Sequence, residues 1–172
     1  MTRHKNRKPL YTEAERKRRD ESRWTLVQGI LAPLQFLVFL VSFALVIRYL
    51  GTGEGYYVAT VSVVVKTLIL YAIMVTGSIW ERVVFGRWLF APSFFWEDVV
   101  SMLVMALHTA YLAALVFGIM EARHQMLLAL GAYLAYVVNA TQFLLKLRSA
   151  RLEQSAPRTS PGRGAPAEYA VE

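Results

Sequence analysis

Three carboxylic acids, one lysine and one histidine are the groups in this chain that could do chemistry away from bulk water. Glu97 and Asp98 follow directly on Phe94-Phe95-Trp96. Glu97, Ser101 and His108 are spaced 4 and 7 apart, so in a helix they share one face. Asp98 is turned about 100° from that face and meets a different neighbour. Lys66 stands in the middle of an apolar stretch, one turn after Ser62. Glu81 returns to within about 60° of the Lys66 face. Buried carboxyls suit general acid–base work, in which a proton is given to or taken from a substrate. A buried lysine needs a carboxylate, a carbonyl or the acid group of a ligand. Gln28, Asn139 and Gln142 could bind polar parts of a ligand near the same level, with Trp96 as an aromatic wall. Each has a plainer reading. Acids in a first turn answer the helix dipole, and amides and hydroxyls join helices. That plainer reading is preferred for Gln35 and Ser42, which follow Gln28 at intervals of seven. His108 has no second His or Cys at ligand spacing, so the pattern gives no metal site of the chain's own.

The elements that must position these groups are four long apolar runs, 24–47, 56–80, 97–120 and 125–145. A hydrocarbon core about 30 Å thick takes roughly 20 helical residues, and all four runs suffice. The expected fold is all-α: a four-helix integral membrane bundle. Its domains are a basic N-terminal segment (1–23), the bundle (24–148) and a disordered tail (149–172). Hydrophobic residues make up 56% of the chain, too many for an ordinary soluble domain of this length. The first run is too long, and its polar lead too extended, for a secretory signal. The absence of cysteine excludes disulfides, thiolate metal sites, iron–sulfur clusters and cysteine nucleophiles. The net charge of +7 is concentrated in residues 1–23, the second connection and the tail. The positive-inside rule then places both termini and the middle loop in the cytoplasm. That accounts for the basicity without a nucleic-acid partner; the bilayer is the partner expected.

Local signals fill in the rest. Residues 1–11 read as disordered. Thr12-Glu13-Ala14-Glu15 matches a capping box that would open a short charged helix towards Trp24. Pro33 predicts a kink in the first run. Gly51-Thr52-Gly53-Glu54-Gly55 reads as a tight outer turn, and no Lys-Ser/Thr follows that would make it a phosphate loop. Pro92 suits the first turn of the third run. Gln28, Glu81, Glu97, Asp98 and Gln142 collect near the cytoplasmic boundary, with His108 about 16 Å deeper than Glu97. The pattern describes a pocket open to the cytoplasm, acidic at its mouth and aromatic in its walls, suited to a flat apolar ligand with a polar end.

The chain resembles the 3-vinyl (older name, 2-vinyl) bacteriochlorophyllide hydratases of bacteriochlorophyll biosynthesis. The likeness is densest in Trp24-Thr25-Leu26-Val27-Gln28-Gly29-Ile30-Leu31-Ala32-Pro33, in Gly77-Ser78-Ile79-Trp80-Glu81 and in Phe94-Phe95-Trp96-Glu97-Asp98. His108-Thr109-Ala110-Tyr111 and Asn139-Ala140-Thr141-Gln142 continue it. The resemblance implies a multi-pass protein of the bacterial inner membrane that adds water across the C3 vinyl group of a chlorophyllide or bacteriochlorophyllide to give a 1-hydroxyethyl product. It implies no cofactor, since the substrate carries its own magnesium, and contact with other pigment-biosynthesis enzymes is conceivable. On this reading Glu97 is the general acid under cover of Phe94, Phe95 and Trp96. Asp98 or Glu81 orients water or stabilises the cation. His108 ligates the substrate's magnesium or, failing that, is itself the acid–base group. Arg82 or Arg87 holds the propionate at the surface, and Lys66 does so if the pigment lies deep. The other classes are a non-catalytic tetrapyrrole carrier or assembly factor, and a scaffold subunit in which Lys66 and the amides only join helices.

Overall fold

A computed structural model describes residues 10–155, and these form five helices in the order α1 (Glu13–Glu21), α2 (Arg23–Thr52), α3 (Tyr56–Phe85), α4 (Phe95–Phe117) and α5 (Ala122–Ser155). No strand occurs among the described residues. Helices α2 to α5 are each long and apolar enough to cross a membrane. The expected all-α, four-span bundle is therefore present, with one short extra helix.

Local chemistry sets the boundaries. Thr12 and Glu15 close the anticipated capping box: the Thr12 N–H donates to Glu15 Oε2 at 2.8 Å, and the Glu15 N–H to Thr12 Oγ1 at 3.3 Å. Ser22 ends α1 and caps α2 through the Trp24 N–H, so the two helices share one hinge residue. The first span continues past Pro33 as one helix. Gly53 and Gly55 take left-handed φ values of 76° and 83° and turn the chain into α3, a conformation that glycine adopts without steric cost.

Several boundaries differ from the sequence reading. The first two spans run to Thr52 and Phe85, and α5 starts at Ala122 and stays helical to Ser155, past residue 148. Polar residues at a helix end can stand in the headgroup layer, so hydropathy alone truncates such helices. Pro92 lies in the turn before α4, which begins at Phe95. The expected disorder of residues 1–11 is corrected at Leu10 and Tyr11: Tyr11 is buried, and the Leu10 carbonyl accepts a bond from Ser93 Oγ. Residues 1–9 and 156–172, where the rest of that segment and of the tail fall, lie outside the described residues.

Helix α2 pairs chiefly with α3 and α4 with α5, while α5 also touches α2 and α1 rests on α3. Lipid is as apolar as leucine, so close packing and polar ties must hold such helices together. Ser42 Oγ bonds both Ser62 Oγ (2.7 Å) and Tyr133 Oη (2.6 Å), joining three helices. Gln28 reaches Thr76, Tyr56 reaches Gln125, and Asn139 reaches Ser101. Large side chains such as Leu26, Leu37, Val41, Leu68 and Val116 remain exposed, as a lipid-facing surface requires. A main core of Phe39, Val63, Val104, Tyr111 and Tyr133 fills the middle. A second cluster, Tyr11, Val84, Phe94 and Ala150, sits at the end that holds α1, the α3–α4 loop and the end of α5, here termed the charged end.

Candidate functional site

The charged end gathers three carboxyl groups. Glu81 comes from the last turn of α3, and Glu97 and Asp98 from the first turn of α4. All three are buried. Gly86, at φ 77°, ends α3 and lets the chain fold back over this end. In the loop that follows, Phe90 is the one non-glycine residue among those described with a positive φ, at 59°. A left-handed phenylalanine is uncommon and persists where its surroundings hold it. It aims two successive amides inward: the Phe90 N–H donates to Asp98 Oδ2 at 2.8 Å, and the Ala91 N–H to Glu81 Oε2 at 3.2 Å. Successive amides of one loop thereby hold the Glu81 carboxyl of α3 and the Asp98 carboxyl of α4.

Glu97 has another partner. Lys146 Nζ, from α5, lies 2.6 Å from Glu97 Oε2 and 4.9 Å from the centre of the Phe94 ring. Phe94 is the hub of an aromatic enclosure: Trp80 meets it edge-on, Phe143 stacks at 5.9 Å, and Phe85 and Tyr11 lie at 5.8 and 6.3 Å. Trp96 is 70% exposed and Phe95 44%, so neither covers Glu97. Of the aromatic trio, only Phe94 faces the acids; the other two point to the outer surface.

A second polar centre lies in the middle of the bundle. Lys66 and His108 are fully buried, with Lys66 Nζ 2.7 Å from His108 Nε2. His108 Nδ1 lies 2.8 Å from the Val104 carbonyl, to which it can only donate, so Nε2 accepts from Lys66. The Lys66 head group also sits over the rings of Tyr136 (4.3 Å) and Tyr133 (5.1 Å), a cation–π arrangement. Both imidazole nitrogens are engaged, and a magnesium ion could reach Nε2 only after Lys66 swings away.

The structure therefore brings together Glu81, Asp98 and Glu97 at one site and Lys66 and His108 at another. Gln28 does not face a ligand space: its Nε2 donates to Thr76 Oγ1 at 2.7 Å and braces α2 on α3. Arg82 and Arg87 are exposed, Arg82 bonding the Gly86 carbonyl. Asn139 Nδ2 donates to Ser101 Oγ at 2.8 Å, while Asn139 Oδ1 and Gln142 Oε1 are buried without a partner. Gln35, expected to join helices, has neither amide atom bonded. Among the described residues no three His, Asp or Glu converge as metal ligands.

Sequence reasoning missed Lys146, Tyr11 and the two loop amides. Lys146 lies one residue past the last apolar run, 125–145, where the sequence reading assigns it no role. Its spacing of 4 from Gln142 and 7 from Asn139 puts it on their helix face, and that signal was present. The amides of residues 90 and 91 carry no sequence signal, because their aim depends on a backbone angle that phenylalanine seldom adopts.

Comparison with known proteins adds an independent line. A family model described as 2-vinyl bacteriochlorophyllide hydratase matches residues 11–149. The chain is 64% identical over 151 residues to a 2-vinyl bacteriochlorophyllide hydratase of Rhodobacter capsulatus, covering 88% of each protein. It is 65% identical over 147 residues to one of Cereibacter sphaeroides, covering 86% of this chain and 91% of that protein. No solved structure matches the chain.

Proposed function

We propose a mechanism for a chain that belongs to the 2-vinyl bacteriochlorophyllide hydratase family. It is a hydro-lyase of bacteriochlorophyll biosynthesis, and its reaction adds water across the vinyl group of the pigment to give a 1-hydroxyethyl group. Protonation of the terminal vinyl carbon leaves a cation on the carbon next to the ring, where the macrocycle delocalises it, and water then attacks that carbon. The protein must supply an acid, an oriented water and negative charge near the cation.

The observation that carries the assignment is the pair of buried carboxyls, Glu81 and Asp98, held by the amides of residues 90 and 91. The positive end of the α4 dipole favours negative charge on Asp98, and the negative end of α3 disfavours it on Glu81. Glu81 therefore favours its protonated form and acts as the acid, with Asp98 stabilising the cation. Glu97, paired with Lys146, stays a carboxylate, so its part is to orient water or face the cation rather than to donate. The Phe94 enclosure excludes bulk water from the cation. Arg82 and Arg87 offer exposed guanidinium groups to the propionate, and Trp96 an exposed ring to the macrocycle edge. His108 ligates the substrate's magnesium only if Lys66 moves off, towards an acid or carbonyl group of a deep-lying pigment. Asn139 and Gln142 line the route between the two centres. The addition is redox-neutral and acid-catalysed, so the reading needs no cofactor. The basic N-terminal segment and α3–α4 loop support a cytoplasmic charged end in a bacterial inner membrane. Contact with other pigment-biosynthesis enzymes is compatible with that exposed face.

The test uses purified chain, a vinyl chlorophyllide and ¹⁸O-labelled water. Labelled hydroxyethyl product is expected. Tight binding without conversion would make the protein a carrier, and neither binding nor conversion would leave a scaffold role.

A further inference from the structure

The bundle interior holds a run of buried amides whose hydrogen-bonding capacity is unused. Gln35 is 2% exposed, yet both of its side-chain polar atoms lack a partner. Asn139 Oδ1 and Gln142 Oε1 are in the same condition. Leaving such atoms dry is costly, and native interiors seldom do so without a ligand or an ordered water.

Helix register brings these groups together. Phe39 of α2 packs on Tyr136 of α5 at 4.9 Å between ring centres, and Ser42 bonds Tyr133. The two helices are antiparallel, so one turn towards the charged end Gln35 stands level with Asn139. Gln142 follows one turn, about 5 Å, further on. Asn139 is tied to Ser101, which lies one turn along α4 from Glu97 and Asp98. The amides therefore form a file leading inward from the carboxyl site towards Lys66 and His108.

We propose that Gln35, Asn139 and Gln142 bind internal water and deliver the molecule that the reaction consumes, an inference that rests on the hydratase reading. A macrocycle seated over the aromatic mouth shuts off the direct path from bulk solvent. One water is used in every turnover, so the supply must reach the cation from another side. A water needs two to four polar partners, and this file provides four vacant ones. In the addition, a carboxyl proton goes to the terminal vinyl carbon and the water oxygen bonds the cationic carbon. The proton that water sheds returns to a carboxylate, so the enzyme is regenerated.

The test is competition between nucleophiles. Full-length wild type and the variants Gln35→Leu and Asn139→Leu are turned over in a water–methanol mixture, and the ratio of 1-methoxyethyl to 1-hydroxyethyl product is measured by mass spectrometry. Leucine keeps the bulk of either amide and removes its hydrogen bonds. The expected result is a hydration rate lower by about tenfold, the value of one or two lost hydrogen bonds, with a ratio shifted towards methanol in both variants. The ratio comes only from folded, active molecules, so partial misfolding leaves it unmoved. An unchanged ratio overturns the proposal, whatever happens to the rate. Weakened pigment affinity with an unchanged ratio would instead make the amides pigment contacts. Absence of any product from wild type would count against the hydratase reading itself.

Discussion

Charge pairing separates the roles of three neighbouring acids. A carboxylate 2.6 Å from an ammonium is a poor proton donor, whereas a buried carboxyl at the negative end of a helix dipole favours its protonated form. Glu81→Gln is therefore expected to lower turnover by about 10²-fold or more, the usual contribution of a general acid, with pigment affinity retained. Steady-state rates and a binding titration check this, and near-normal turnover would remove Glu81 from the chemistry. Lys146→Met frees Glu97 from its partner and should slow the reaction, with Lys146→Arg restoring most of it; equal rates in both variants would make the ion pair incidental. The mid-bundle pair gives a third expectation. Lys66→Met removes a buried cation at little cost in volume and leaves His108 Nε2 open. Magnesium pigment should then bind more tightly, and His108→Ala should bind it more weakly. Equal affinities in the two variants would rule out ligation by His108.

At the scale of elements, the loop of residues 86–94 and the short α1 act on the site from outside the spans. Tyr11 anchors the segment before α1 by stacking on Phe85 at 5.7 Å, with the Arg19 guanidinium 4.8 Å from the centre of the Tyr11 ring. Burial raises the Tyr11 hydroxyl above its ordinary value of 10.0, with the Arg19 charge working in the opposite direction. The docked form therefore prefers the neutral phenol. Its contribution is complete below the unfolded value and is lost as pH rises through the higher folded one. A spin label on α1 should gain mobility above about pH 10 in wild type but stay restrained in Tyr11→Phe, which has no group to ionise. Mobility rising equally in both would detach the effect from Tyr11. The box of Thr12 and Glu15 was legible as spacing, whereas the cap shared by α1 and α2 at Ser22 was found only in the structure. The docking of Tyr11 was not, because an isolated aromatic in a polar segment gives no period to read.

Over the whole molecule, four spans with short connections put α1, the α3–α4 loop and the end of α5 on one side. The distribution of Lys and Arg supports the proposed cytoplasmic placement of that side. The chain has no cysteine, so Glu54→Cys and Arg87→Cys each introduce a single thiol. A membrane-impermeant maleimide applied to intact cells after outer-membrane permeabilisation should label the first variant and spare the second. The reverse pattern would invert the topology.

The sequence by itself determined the number of spans, the charged end, the family and the identity of the acids, because apolar length, charge and helical spacing are local quantities. It also put Glu97 and Asp98 on different faces, and each indeed has a different partner. Only the tertiary structure decided which partners those are. Lys146 reaches Glu97 from another helix, a loop amide holds Asp98, Lys66 occupies the imidazole that the sequence offered as a ligand, and Gln35 ends with no partner rather than as a helix tie. Pairing depends on helix rotation and register, which are fixed by contacts between segments far apart in the chain, and no period within one segment carries that information.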